Sequence, residues 1–125
     1  MGKKISLYVL IGFFLFAGVY HFVNPELYLP LIPKYFPMPE VINWVSGIFE
    51  ILLAVGLLPL KTRKPASLGI IILLIAFIPS HVYFIQIGSC LESSLCVAPW
   101  VAWIRLLVIH PLLIYWAWYA GTYKP

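Results

Sequence analysis

Four long apolar stretches, separated by short connections, constrain the fold of this 125-residue chain more than any other feature of its sequence. They cover about residues 5–23, 41–60, 66–87 and 100–120. A helix of roughly 20 apolar residues is long enough to cross the hydrocarbon core of a bilayer. Only 10% of the residues are charged, whereas roughly a quarter are charged in a soluble domain. The sequence therefore predicts an all-α integral membrane protein, a single domain over residues 1–125 folded as an antiparallel four-helix bundle.

The first stretch also has the general form of a secretory signal peptide, because Lys3 and Lys4 precede an apolar core. A signal peptide ends at a cleavage site of small residues. Here bulky aromatic residues continue to Phe22, and no such site follows. We therefore interpret the first stretch as a retained membrane helix.

The connection over residues 24–40 is both proline-rich and apolar. Its five prolines are Pro25, Pro30, Pro33, Pro37 and Pro39. Proline lacks the backbone N–H and restricts the residue before it, so this density excludes a regular helix through the connection. We expect the segment to lie on the membrane surface or to cap the helices, with its tyrosines at the level of the lipid headgroups.

The basic residues predict the orientation of the chain in the membrane. One end of the stretches holds six of them and no acid: Lys3, Lys4, Lys61, Arg63, Lys64 and Lys124. The other end holds one basic and three acidic residues: Lys34, Glu26, Glu40 and Glu92. Basic connections remain in the cytoplasm, so we expect both termini there (N-in/C-in). We expect residues 61–65 to form a short turn on the same side. The expected membrane is a bacterial inner (plasma) membrane. Membrane lipid is the expected surrounding partner, and no basic patch interleaved with polar aromatics indicates nucleic acid.

Two charged residues, Glu50 and Arg105, lie inside the apolar stretches. Glu50 shares one helix face with Asn43, Gly47 and Ala54, since these positions are spaced by three or four. Arg105 and Glu50 lie at about 9 and 14 Å from the same side, at ~1.5 Å per residue. A charge in hydrocarbon is costly unless it is paired, so the sequence predicts an ion pair between Glu50 and Arg105. The pair could fix the helix register, or it could bind a ligand or carry a proton.

The histidines extend this polar layer. His21 closes the first stretch, and His81 lies in the third at a depth close to that of Arg105, with Pro79 before it predicting a kink. His21, Glu50, His81 and Arg105, one from each stretch, therefore form the candidate ligand-binding site, although each histidine could simply be hydrogen-bonded within the bundle. His110 follows Arg105 by five residues, about 140° around an α-helix, and is predicted to point away from it. Haem ligation by two histidines is not favoured by any spacing.

Cys90 and Cys96 lie in the polar loop over residues 88–99, on the predicted outer side. An oxidising compartment favours a disulfide between them. The bridge could be structural or could exchange with a redox partner, but the C-x-x-C spacing of redox motifs is absent. No metal site is predicted, because two cysteines without a nearby histidine do not complete one.

Several short motifs together resemble the DoxX family of small four-helix membrane proteins. They are His21-Phe22 followed by Pro25 and Tyr28, then Pro33 and Pro37, then Ser46-Gly47-x-x-Glu50, and finally Trp103-x-Arg105-Leu106 with Trp116-Ala117. The match runs from about residue 18 to residue 119. Relatives often carry Pro-x-Asn and Arg-Leu-Pro-x-Gln where this chain has Pro79-Ser80-His81 and Leu107 with Ile109.

The resemblance implies a role as a non-catalytic, redox-associated membrane subunit. On this interpretation a quinone-like or lipid-like molecule binds in the outer half of the bundle, with Glu50 and Arg105 holding its polar head and His81 donating a hydrogen bond or carrying a proton. Quinone is then the candidate ligand, and membrane or exported oxidoreductase subunits are candidate partners. The rival hypothesis is an assembly factor or chaperone for other membrane proteins. A small transporter is disfavoured because the sequence has no internal repeat.

Overall fold

A computed structural model describes residues 2–91 and 95–125 of the chain. The predicted outward position of Glu92 therefore lies outside the described residues. The described part is helical apart from turns, loops and one isolated bridge between Cys90 and Cys96. Its elements are α1 (Gly2–Val23), α2 (Pro25–Tyr28), a 3₁₀ turn (Leu29–Leu31), α3 (Pro39–Gly56), α4 (Leu60–Ala76), α5 (Ile78–Gln86), α6 (Pro99–Ile104), a π-helical segment (Arg105–Ile109) and α7 (His110–Gly121).

Four helical segments are long and apolar enough to cross a membrane, as the sequence predicts. They are Gly2–Val23, Pro39–Gly56, Leu60–Gln86 and Pro99–Gly121. Most of their large apolar side chains are exposed, among them Phe16, Leu52, Ile72 and Leu107. A soluble protein does not expose so much contiguous apolar surface, so these faces are suited to contact with membrane lipid.

Two connections are more helical than the sequence predicts. The proline-rich connection contains α2 and the 3₁₀ turn, each with a proline in its first positions, where the missing N–H would not be bonded within the helix. The basic segment over residues 61–65 is not a turn but the beginning of α4, with Pro65 inside the helix. Pro65 removes one helical hydrogen bond close to the exposed end, where water can replace it. Proline density thus excluded one long helix but not short helical turns.

α1 and α3 cross closely near the middle of the chain's polar layer. A Cβ on Gly18 would lie 2.9 Å from the carbonyl oxygen of Gly47, so the two glycines allow the backbones to approach. The buried residues of α3 are Asn43, Gly47, Glu50 and Ala54, which confirms the predicted shared face. Its opposite face is aliphatic or aromatic and is exposed.

The apolar core lies between α1, α3, α4 and α7. α1 contacts α3 and α7, and α4 contacts the same two helices, so the four helices surround one cluster of buried apolar side chains. Its large buried members are Leu7, Leu10, Ile11, Phe14, Leu57, Ile70 and Leu74. This core holds the half of the molecule that contains both termini, where Lys3 Nζ donates to Thr122 Oγ1 at 3.3 Å.

The third and fourth apolar segments are each interrupted on the side of this core that is away from the termini. The third breaks at Phe77 between α4 and α5, which agrees with the kink predicted at Pro79, because a proline ring clashes with the carbonyl four residues earlier. The fourth widens into the π-helical segment just before Pro111. Beyond the breaks, α5 and α6 pack on each other, and α5 packs on the 3₁₀ turn. A space remains between α1, α3, α5 and the π-helical segment.

Candidate functional site

A cavity of about 420 Å³ fills the space beside the two interruptions. Its walls are mostly apolar and include Phe13, Phe14, Leu31, Phe36, Phe77 and Leu113. All four residues of the predicted ligand-binding site line it: His21, Glu50, His81 and Arg105. Asn43, Tyr28 and His110 line it as well. The polar side chains divide into two clusters, one on each side of the cavity.

The first cluster joins α1 to α3 through His21. Its Nδ1 donates to Asn43 Oδ1 at 2.7 Å, and Asn43 Nδ2 donates to the backbone carbonyl of His21 at 3.0 Å. The Nε2 of the same ring lies 3.5 Å from Glu50 Oε1. Two lone pairs facing each other would repel, so one proton belongs between this imidazole nitrogen and this carboxylate. All three side chains are buried.

Tyr28 covers the first cluster from the proline-rich connection. Its ring stacks on the His21 ring, with centroids 3.7 Å apart and planes 14° from parallel. Its hydroxyl donates to the carbonyl of Ala17 at 3.5 Å. Burial, followed by the charge of Glu50 and by Tyr20, raises the pKa of Tyr28 to about 12, so the phenol remains protonated and able to donate. The connection therefore caps the helices at this point, as the sequence predicts, and it does so through an aromatic stack.

The second cluster joins α5 to the π-helical segment. Arg105 donates from Nε at 3.0 Å and from Nη2 at 2.7 Å to Nδ1 of His81. A guanidinium has no acceptor, so Nδ1 of His81 is unprotonated and the ring proton lies on Nε2. The guanidinium also lies over the Phe84 ring, 5.5 Å from its centroid. Arg105 is thus held by a neutral imidazole and an aromatic face.

The predicted ion pair between Glu50 and Arg105 is not formed. Within residues 2–91 and 95–125, the one ion pair is that between His21 and Glu50. Sequence depth alone placed Glu50 and Arg105 in one layer, and both do line one cavity. Each charge, however, has a nearer partner on an adjacent helix: His21 for Glu50 and His81 for Arg105. The charge of Arg105 therefore has no carboxylate partner among the described side chains.

His110 does not point away from Arg105, contrary to the sequence prediction. Its ring meets the His81 ring edge to face, with centroids 4.6 Å apart, and its Nε2 donates to the Leu74 carbonyl at 2.5 Å. The backbone N–H of His110 bonds to the carbonyl of Arg105. This five-residue bonding brings residues five apart onto one side of the helix, whereas an α-helix separates them. Pro111 was the signal in the sequence, since its ring disfavours continuous α-helical bonding there.

One oxygen of the site has no partner. Oε2 of Glu50 is buried and makes no hydrogen bond to any described group, and the side chain is only 5% exposed. A buried polar atom without a partner costs roughly 1–3 kcal/mol, and such atoms are rare in native structures. Glu50 Oε2 is therefore the atom of the site to which a bound molecule would matter most.

The cysteines lie beyond α5, away from both clusters. Cys90 and Cys96 form the disulfide that the loop sequence favours. The bridge closes the loop between α5 and α6. No group of three or more His, Cys, Asp or Glu side chains that could hold a metal ion occurs among the described residues.

Fold and site together define an all-helical protein with four candidate membrane spans and a polar-lined cavity between them. The family described as Domain of unknown function (DUF8561) matches residues 10–121, and the chain belongs to this family. No curated protein matches the chain, and no solved structure does.

The family match shows that the DoxX resemblance is wrong. The motifs behind it are short, and glycine, proline, tryptophan and isolated charges recur wherever membrane helices pack closely. Quinone, oxidoreductase subunits and a redox role came with that resemblance. Nothing in the described residues supports them.

Proposed function

We propose that this protein is an integral membrane protein whose cavity binds a small amphipathic molecule. The observation that carries the proposal is the unpartnered Oε2 of Glu50 in the wall of a mostly apolar cavity. The volume of about 420 Å³ falls in the range of small-molecule sites, roughly 300–1,000 Å³. A ligand that donates a hydrogen bond to this oxygen would remove the free-energy cost of burying it without a partner.

The polar groups define the chemistry of the head that would bind. Glu50 Oε2 accepts, so the head carries a hydrogen-bond donor such as a hydroxyl or an amine. Arg105 uses Nε and Nη2 on His81, and its other N–H groups can donate to an acceptor on the same head. His81 offers its Nε2 proton as a further donor. The aromatic and aliphatic walls would surround an apolar body.

Each residue would have a separate task in this site. Glu50 would receive the donor of the head, and Arg105 would hold its acceptor. His21 would position the carboxylate, because it contacts Oε1 from α1, and Asn43 would orient the His21 ring. Tyr28 would shield this end from water. We propose binding rather than catalysis, since Arg105, His21 and His110 are already held by protein partners.

We also propose that the four segments span the membrane as an antiparallel bundle with both termini in the cytoplasm. Two features support this arrangement. The contact between Lys3 and Thr122 brings the two ends of the chain together on the basic side, and basic ends remain in the cytoplasm. The disulfide closes the loop between the third and fourth segments, and an oxidising compartment outside the cytoplasm would favour it.

Co-purification tests the binding proposal. The protein is purified in detergent, and molecules extracted from it are identified by mass spectrometry. Ala17→Phe places a ring into the cavity, whereas Val19→Phe adds the same ring to an exposed position of α1. We expect one hydroxyl- or amine-bearing amphiphile with the wild type and with Val19→Phe, and at least a tenfold lower amount with Ala17→Phe.

Glu50→Leu separates recognition from cavity shape. It is expected to lose the same molecule, while the cavity keeps its apolar walls. Equal amounts of every amphiphile in all four proteins, or none in the wild type, would contradict the proposal. Circular dichroism of each variant shows that the helices are intact.

A further inference from the structure

A second pocket lies at the opposite end of the helices, between the beginning of α4 and the end of α7. Its volume is about 370 Å³, and three cationic side chains line it: Arg63, Lys64 and Lys124. Trp118 and Leu68 form an apolar wall, and both are about half exposed. The pocket thus combines positive charge with an apolar side that faces outward.

Arg63 is the fixed centre of this pocket. The residue is 6% exposed and donates to the carbonyls of Leu57 at 2.8 Å, Leu58 at 2.5 Å and Tyr123 at 3.1 Å. These carbonyls follow the C-terminal ends of α3 and α7, where helix dipoles favour a cation. They use three of the five guanidinium N–H groups. A buried charge is ordinarily paired with an opposite charge, and Arg63 forms no ion pair with a described carboxylate.

The floor of the pocket is closely packed. Ser67 Oγ donates to the Ala117 carbonyl at 2.7 Å, and a Cβ on Gly121 would overlap the Ser67 side chain. α4 and α7 are therefore held together directly beneath the cations. This packing fixes where Arg63 and Lys64 are presented.

The charge of the pocket is not balanced by acids. The acidic residues that the structure describes are Glu26 in α2 and Glu40 and Glu50 in α3, and none of them lines the pocket. Lys64 and Lys124 are both exposed. An anion would therefore meet three positive charges and no carboxylate of the described chain.

We propose that this pocket binds the phosphate of an anionic membrane lipid. Arg63, with Lys64 and Lys124, would hold the phosphate, and Trp118 and Leu68 would contact the glycerol and the first part of the acyl chains. Basic pockets between membrane helices on the cytoplasmic side bind lipid headgroups in this way. The site is separate from the cavity at Glu50, and it does not depend on what that cavity binds.

Lipid-dependent thermal stability tests this inference. The protein in dodecyl maltoside is titrated with phosphatidylglycerol, with phosphatidylcholine and with inorganic phosphate. The pocket variant is Lys64→Gln with Lys124→Gln. The control is Lys4→Gln with Lys61→Gln, which removes the same charge from the same end without altering the residues that line the pocket. Arg63 is left in place because its loss would also remove three hydrogen bonds of the fold.

We expect phosphatidylglycerol to raise the melting temperature of the wild type and of the control at similar concentrations. The pocket variant should need a concentration on the order of tenfold higher, since each basic residue near a membrane surface adds about 1 kcal/mol of attraction for anionic lipid. Equal responses of the pocket variant and the control would overturn the inference. Equal stabilisation by phosphatidylcholine would also overturn it, and stabilisation by phosphate without an effect of phosphatidylglycerol would overturn the assignment to a lipid.

Discussion

At the scale of single residues, each charged side chain of the cavity is paired with a histidine of an adjacent helix, and the two charged side chains are not paired with each other. Glu50 is paired with His21 of α1, and Arg105 is paired with His81 of α5. The sequence placed these four residues in one polar layer but paired them wrongly. Depth along a helix can be counted from the sequence, whereas the distance between two helices depends on packing. The close approach of Gly18 and Gly47 brings α1 against α3, so His21 reaches Glu50 before Arg105 can.

Asn43 connects the first cluster and provides a test of it. Its side chain accepts from His21 Nδ1 and donates to the His21 carbonyl, and it is buried. We expect Asn43→Ala to lower the free energy of unfolding by about 1–3 kcal/mol, because an N–H and a carbonyl would be left unpaired. Denaturation by sodium dodecyl sulfate in mixed micelles measures this change.

Asn24→Ala is the matched control for Asn43. Asn24 Nδ2 donates to the Tyr20 hydroxyl at 3.3 Å in a partly buried position. Its loss should cost less than about 1 kcal/mol, since water can replace the partner. A loss at Asn43 no larger than the loss at Asn24 would show that the first cluster does not hold α1 to α3.

At the scale of elements, the sequence predicts where helices exist better than where they change type. The apolar stretches and the buried face of α3 could be predicted because composition and a spacing of three or four residues determine them. The π-helical segment at Arg105 could not, since Pro111 is compatible with a kink, an end or a widened turn. The early beginning of α4 was missed as well, because Arg63 is held there by the carbonyls of Leu57 and Leu58, just after α3, and by that of Tyr123, which is far away in the sequence.

The crossing of α1 and α3 makes a prediction at this scale. A Cβ at position 18 would lie 2.7 Å from Ile51 Cγ1 and 2.9 Å from the Gly47 oxygen, whereas a Cβ at position 12 meets nothing within 4 Å. We expect Gly18→Ala to destabilise the protein by about 1–3 kcal/mol through overpacking. Gly12→Ala should be neutral or stabilising by up to about 1 kcal/mol, because alanine favours the helix.

The same denaturation measurement compares the two alanine variants. The open surroundings of position 12 make it the matched control for position 18. Equal stabilities of the two variants would mean that α1 and α3 are not in close contact at Gly18.

At the scale of the whole molecule, the proposed orientation relates charge, termini and disulfide. Six of the eight basic residues lie near the helix ends that hold the termini, the exceptions being Lys34 and Arg105, and the bridge between Cys90 and Cys96 closes the loop between α5 and α6. Composition and charge were sufficient to predict a membrane protein and to propose its orientation. They could not predict the cavity, whose volume depends on how the helices around it pack. A few short motifs were also insufficient to identify the family, which is shown by a match over residues 10–121.

Labelling of introduced cysteines tests the proposed orientation. In a background with Cys90→Ser and Cys96→Ser, one cysteine is introduced at Lys34 and another, in a separate variant, at Lys61. A maleimide that does not cross membranes should label position 34 in intact cells and position 61 only after permeabilisation, because the two positions lie on opposite sides. Labelling of position 61 in intact cells would reverse the orientation.

The two interruptions in the last segments lie next to each other, one at Phe77 and one at Arg105–Ile109. Continuous helical hydrogen bonding resists bending, and it is lost at both places. α5 and α6 meet these weak points at one end and are joined through the disulfide loop at the other. Tilting α5 and α6 together would open the cavity beside His81 towards the bilayer while every helix stays intact. A ligand could then enter from the membrane without local unfolding.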